Sequence, residues 1–165
     1  MRVLGIDPGF ALVGFGIVEQ NNGNFEVLDY GVISTSKDES FSTRLAIIYQ
    51  GICDLIDTYK PDAIAIEELF FFKNQKTVIP VAEARGVIVL AGIQKLGNLY
   101  EYTPLQIKQA LTGNGRAEKK QIQYMVKNIL GLDSVPKPDD AADAVAVAIT
   151  HLQTNSTISD NRIWK

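Results

Sequence analysis

Cysteine and histidine are nearly missing from this chain. Its 165 residues include one of each, Cys53 and His151. A lone thiol excludes an intrachain disulfide and a zinc–thiolate cluster. Cys53 sits among apolar residues and reads as a small core side chain. Long hydrophobic runs are absent too. No stretch reaches the eighteen or so apolar residues of a membrane span. Near the start, Arg2 is the only basic residue, and Asp7 and Pro8 interrupt the apolar run, which is unlike a signal peptide. These absences predict a cytoplasmic protein with no membrane partner. An excess of positive charge is also missing, since the formal net charge is −3. That weighs against a nucleic-acid partner until the distribution is considered. Between Lys95 and Lys127 there are six basic residues and two acids, Glu101 and Glu118, so the window carries +4 and the rest of the chain −7. Such segregation suits a phosphate-binding face. A solvated pair of helices has the same pattern.

What is present is an ordinary globular composition, 46% hydrophobic and 21% charged, on a length that supports one core. RVLGID, ALVGFGIVEQ and FEVLDYGVIST read as three strands, with NNGN as a hairpin turn between the second and third. The period then changes. Leu45, Ile48, Ile52, Leu55, Ile56 and Tyr59 recur at three- and four-residue steps, which predicts a helix over 40–59 that Lys60-Pro61 ends. DAIAIE reads as a strand buried on both faces. A helix with small residues at Ala82, Ala84, Gly86, Ala91 and Gly92 follows over 75–96, then the strand LYEYT. Thr103-Pro104 is a helix start whose helix stops near TGNG. Another helix covers 117–130, with Gly131 as its stop, and AADAVAVAITHL is the last. The order β-β-β-α-β-α-β-α-α-α predicts an α/β fold, a mixed sheet with helices on both faces. Residues 1–153 read as one domain and 154–165 as a polar tail.

The stretch IEELFFFKNQK, residues 66–76, puts two acids and three phenylalanines at the end of a buried strand. Glu67 falls at a strand C-terminus, where open α/β sheets place their ligands. Asp7 ends the first strand. Asp140 and Asp143 are three residues apart and share one face of the last helix. Two carboxylates about 4 Å apart repel by roughly 4 kcal/mol at an effective dielectric near 20, so a cluster of four calls for a counter-charge. Oxygen ligands without Cys select Mg²⁺ or Mn²⁺ over zinc, and a pair of such ions serves phosphodiester hydrolysis. Each acid also has an ordinary reading. Asp7-Pro8-Gly9 suits a plain turn, Asp139 and Asp140 suit a helix cap, and Asp143 suits a solvated surface.

Five blocks carry a resemblance. GIDPG at 5–9, AIEELF at 65–70, EARG at 83–86, AEK at 117–119 and DAADAVAVAITH at 140–151 resemble, in that order, the RuvC family of bacterial Holliday-junction resolvases. The resemblance implies an RNase H-like fold with a five-stranded mixed sheet. It implies metal-dependent nicking of four-way DNA junctions, leaving 5′-phosphate and 3′-hydroxyl ends, by a homodimer that works with the branch-migration complex of RuvA with RuvB. Its catalytic carboxylates fall on Asp7, Glu67, Asp140 and Asp143, expected to hold two Mg²⁺ ions, with Mn²⁺ as a substitute. Some relatives have His at the position of Asp140. A base-stacking phenylalanine falls on Phe70, and DNA-contacting lysines on Lys108 and Lys119. Glu68 and Asp139 do not match the acid motif, and Phe71 and Phe72 take no DNA role from it. His151 reads as structural. GIDPGFALVGFGIV also looks like the phosphate-binding hairpin of actin-like ATPases and sugar kinases, but the chain is too short for their two lobes. An RNase H-like nuclease acting on RNA and a non-catalytic junction-binding module are the alternatives.

Overall fold

A computed structural model describes residues 1–69 and 75–154, with side chains from residue 78 onward in the second stretch. Ten elements follow one another as the periodicities predict. They are β1 (Arg2–Asp7), β2 (Leu12–Asn21), β3 (Asn24–Ser34), α1 (Phe41–Tyr59), β4 (Ala63–Glu67), α2 (Gln75–Lys95), β5 (Leu99–Tyr102), α3 (Pro104–Thr112), α4 (Lys119–Ile129) and α5 (Asp139–Gln153). The sheet order is β3-β2-β1-β4-β5. β1, β2 and β3 form an antiparallel meander, while β4 and β5 run parallel to β1. Asn22 and Gly23 both take positive φ, 51° and 83°, as a two-residue hairpin between right-twisted strands requires.

Local signals explain the boundaries. Ser40 caps α1 by accepting from the Thr43 N–H at 3.1 Å. Thr103 and Gln106 cap α3 reciprocally, at 3.1 and 2.8 Å, with Pro104 at the first helical position. α4 starts two residues later than its apolar stripe suggests. Ala117 is buried in the preceding turn, its N–H on the Asn114 carbonyl, and Glu118 precedes the helix. α5 starts two residues earlier than expected, so Asp139 and Asp140 lie in its first turn, where the helix dipole favours negative charge.

Alternation along the strands divides the core in two. Leu4, Ile6, Val13, Ile17, Ile64 and Ile66 pack against α1 and α2, with Cys53 buried among them. Val3, Val18, Ala63 and Ala65 pack against α5, with α3 and α4 completing that side. α5 is buried continuously from Ala144 to Leu152, as a helix enclosed by a sheet and two other helices must be. No helix among the described residues is long and apolar enough to cross a membrane.

Candidate active site

Strand parity decides where the first two acids point. On β1, Val3 faces α5, Leu4 and Ile6 face α1 and α2, and Gly5 lies beneath α5. Asp7, two residues beyond Gly5, therefore faces α5. On β4, Ala63 and Ala65 face α5 and Ile64 and Ile66 the opposite side, so Glu67 takes the side of Asp7. Gly5 pairs with Ala65 and Ile6 with Ile66. One further step along this parallel register sets Asp7 beside Glu67.

The other two acids arrive on α5, and glycines set its height. Gly14 is the β2 partner of Asp7. A Cβ on Gly14 would stand 2.1 Å from the Asp140 carbonyl oxygen, and one on Gly5 would stand 2.1 Å from that of Ala144. One on Gly16 would stand 2.5 Å from Val145 Cγ2. The helix thus rests directly on strand backbone, which brings Asp140 and Asp143 down to the level of Asp7. Glycine inside a strand signals close backbone approach, so this cue lay in the sequence, but it does not say what approaches. The turn after Asp7 is clasped from the side. Thr35 Oγ1 donates to the Phe10 carbonyl at 2.6 Å, and the Arg44 guanidinium lies 3.7 Å over the Phe10 ring while its Nε donates to Thr35 Oγ1. Neither Arg44 nor Thr35 belongs to any motif read above.

The acids meet electrostatically. Burial pushes the Asp7 carboxyl up to about 8, and the charges of Glu67, Asp143 and Asp140 add to the rise. Burial pushes Glu67 up to about 7, with Asp143 adding and Lys119 and Lys108 opposing. Asp143 is also raised by burial, although Lys119 pulls it back. Lys119 Nζ donates to Asp143 Oδ2 at 2.8 Å and lies 3.7 Å from Asp139 Oδ2. Burial works to lower the lysine's own pKa, but its bond to Asp143 and the surrounding acids raise it. Lys108 and Lys119 border a cavity of about 170 Å³ that opens beside Glu67 and Asp143, with Ile107 and Ile122 among its apolar walls.

The neighbouring acids have further partners of their own. Asp139 is held by Lys137 at 2.8 Å. The Glu68 N–H donates to the Tyr102 carbonyl, and its side chain lines a separate pocket with the ion pair of Arg85 and Glu101. His151 is fully buried, its Nδ1 2.7 Å from Tyr102 Oη, and burial lowers its pKa to about 4, so it is neutral and structural. Phe70, Phe71 and Phe72 lie outside the described residues, as does the tail from residue 155. Among the described residues, no three His, Cys, Asp or Glu side chains already stand in ligating geometry. The chemistry of the donor set still fits a hard divalent cation. It offers only carboxylate oxygens, held together at a cost that raises their proton affinity, and a divalent charge would remove that cost.

Comparison with known proteins identifies the family. Residues 3–151 match the family model described as crossover junction endodeoxyribonuclease RuvC. The RuvC of Caldicellulosiruptor saccharolyticus is 58% identical over 159 residues, covering 96% of each chain. That of Fusobacterium nucleatum is 56% identical over 154 residues, 93% of this chain and 81% of the relative. Among solved structures, Thermus thermophilus RuvC in complex with a Holliday junction substrate superposes with a TM-score of 0.93 at 34% identity, covering 99% of both chains. The matched span takes in both strand-end acids and both acids of α5, and with this level of identity over nearly the whole length the chain belongs to the RuvC family of crossover junction endodeoxyribonucleases.

Proposed function

We propose that this chain is a metal-dependent endonuclease that resolves four-way DNA junctions by paired, symmetric nicks, in recombination and repair. The observation that carries the reading is the set of buried, mutually repelling carboxylates at the ends of β1 and β4 and the start of α5, bordered by two lysines. Asp7, Glu67, Asp140 and Asp143 are the ligands of two Mg²⁺ ions in this reading, with Mn²⁺ as a substitute. Bound there, such ions supply an activated water and neutralise the leaving 3′-oxygen. The chain's own groups do the rest. The buried walls exclude bulk water from the reacting phosphate. Lys119, which holds Asp143 in the free protein, and Lys108 across the cavity bind the phosphates flanking the cut. Phe70 stacks on a base opened beside it, an interaction worth about 1–3 kcal/mol per base.

Pairing of the two nicks calls for a homodimer, and α2 offers a face for one. Ile79, Leu90 and Ile93 are 65%, 51% and 40% exposed. Together with Gly86, where an added Cβ would touch nothing, they line one side of the helix at three-, four- and seven-residue steps. A second copy covering this apolar stripe gives two sites about a two-fold axis, which matches the symmetry of a four-way junction. Loading by the branch-migration complex of RuvA with RuvB is the partner relationship that family membership suggests.

The test is a purified synthetic mobile junction and a matched linear duplex, each incubated with Mg²⁺ or with EDTA. Paired symmetric nicks in the junction alone, with metal alone, are expected. Equal cutting of the linear duplex, or preferential cutting of an RNA–DNA hybrid, would overturn the reading.

A further inference from the structure

Basic side chains over most of the described structure have partners. Arg2 pairs with Glu19, Lys60 and Lys95 with Asp57, Arg85 with Glu101 and Lys137 with Asp139, and Arg44 lies over Phe10. The segment from α3 to α4 differs. Residues 104–130 hold five basic side chains and a single acid, Glu118. Of the five, Lys119 bonds a site acid and Lys108 acts on Glu67 from across the cavity without an ion pair, while Arg116, Lys120 and Lys127 make no ion pair among the described residues. Elsewhere among the described side chains only Lys37 and Arg44 meet no carboxylate, and Arg44 is engaged by Phe10 and Thr35.

These charges are arranged. Lys120, Tyr124 and Lys127 succeed one another at steps of four and three, so they form one outward stripe of α4, opposite the buried Ile122 and Val126. Tyr124 is 61% exposed, and no described group bonds its hydroxyl. Seven residues of helix rise ~10.5 Å, a spacing that lets two long lysine side chains reach separate phosphates of one DNA strand. The stripe also joins the cutting site. Lys119 lines the cavity beside the acids and Lys120 is the next residue on the same helical turn. On the other side, Lys108 borders both that cavity and a second groove with Leu105 and Gly115.

We infer that the outer stripe of α4 seats a duplex arm of the junction. Lys120 and Lys127 take separate phosphates on one strand, and Tyr124 lies between them against the sugar edge. Arg116, in the loop ahead of α4, carries the contact toward the crossover. This rests on the junction-nuclease reading and adds to it a surface outside the acid cluster. Unpaired cations continuous with the acid site favour DNA over an acidic protein as the occupant.

The test follows junction binding by fluorescence anisotropy in Ca²⁺, across a KCl series, for the wild type and the K120Q/K127Q double variant. Neutralising two phosphate contacts makes the slope of log K against log[salt] shallower by about 1.8. Tyr124→Ala weakens binding at unchanged slope. When the arms are trimmed to a few base pairs, wild type and double variant converge. An unchanged slope overturns the assignment and leaves the stripe to an acidic protein, and a difference that persists on trimmed arms overturns it by moving the contact from the arm to the crossover. If the wild type fails to prefer the junction over linear duplex, the junction-nuclease reading itself has failed. If it keeps that preference while the double variant behaves identically, only the α4 assignment has.

Discussion

On the α1–α2 side of the sheet, Arg2, Lys60, Arg85 and Lys95 each meet a carboxylate, and the strand residues between them are large and apolar. On the α3–α5 side, carboxylates repel one another under burial, most lysines make no ion pair, and Gly5, Gly14, Gly16, Ala63 and Ala65 are the small strand residues beneath α5. The first side is arranged for stability. The second gathers repelling carboxylates and unpaired lysines within a short distance, the pattern that perturbed groups form at ligand sites. Small residues serve the same end, because they let a helix bearing acids settle onto strands bearing acids.

The strongest way to break this contrast is to remove a charge from the cluster. Asp7→Asn, Glu67→Gln and Asp143→Asn should each lower junction cleavage by about a thousandfold or more, ~4 kcal/mol of transition-state stabilisation. Junction affinity in EDTA should stay near that of the wild type. Single-turnover cleavage together with anisotropy separates the two effects, and a parallel loss of binding would count against the metal-site assignment.

Next in size is Gly14→Ala. Its Cβ would meet the Asp140 carbonyl oxygen at 2.1 Å, so the start of α5 must shift. Misplacing two acids in this way should cost cleavage about 100-fold, and overpacking should cost ~1–3 kcal/mol of stability in urea. Gly23→Ala tests a glycine on the solvent side, where an added Cβ meets nothing but φ is 83°. It should cost only local turn strain and leave cleavage intact.

Stability against pH sharpens the comparison. Asp7 ionises near 3.8 when unfolded and near 8 when folded, and Glu67 near 4.5 and near 7. Between those values the folded protein holds more protons than the unfolded chain. Metal-free stability should therefore be full in acid, fall as pH rises through this window, and level off above about pH 8, by at most ~1.4 kcal/mol per pH unit per group. Thermal melts in EDTA measure the slope. Asp7→Asn should flatten it and make the variant the more stable protein at high pH, while Mg²⁺ should restore the wild type.

The smallest effect on the fold itself comes from Leu90→Asp combined with Ile93→Asp. Both positions are exposed on α2, so the domain should stay folded. Sedimentation should show a monomer, and junctions should be nicked singly rather than in pairs.

The element order was legible because each period has one structural meaning: Leu45 to Tyr59 cannot line a strand, and Ala63 to Ile66 is too short for a helix. The strand-end acids were legible from position and from the family motif. The seating of α5 was not. Gly5, Gly14 and Gly16 mark a close approach without naming what approaches, since that depends on contacts far apart in the chain. Charge compensation was equally hidden. Lys119 and Lys120 are the same residue type side by side, and only the fold turns one to Asp143 and leaves the other unpaired. Asp139 and Asp140 are likewise adjacent, yet Lys137 and Lys119 flank the first while the second adds its charge to the repulsion on Asp7.

The site draws two of its acids from strands near the beginning of the chain and two from its last described helix. A nascent polypeptide that has not yet released α5 from the ribosome has exposed strand backbone where Gly5, Gly14 and Gly16 will be covered, and only half of its carboxylates. If the four acids hold the metal as proposed, a chain cut short before α5 carries half of the ligand set and should not nick junctions.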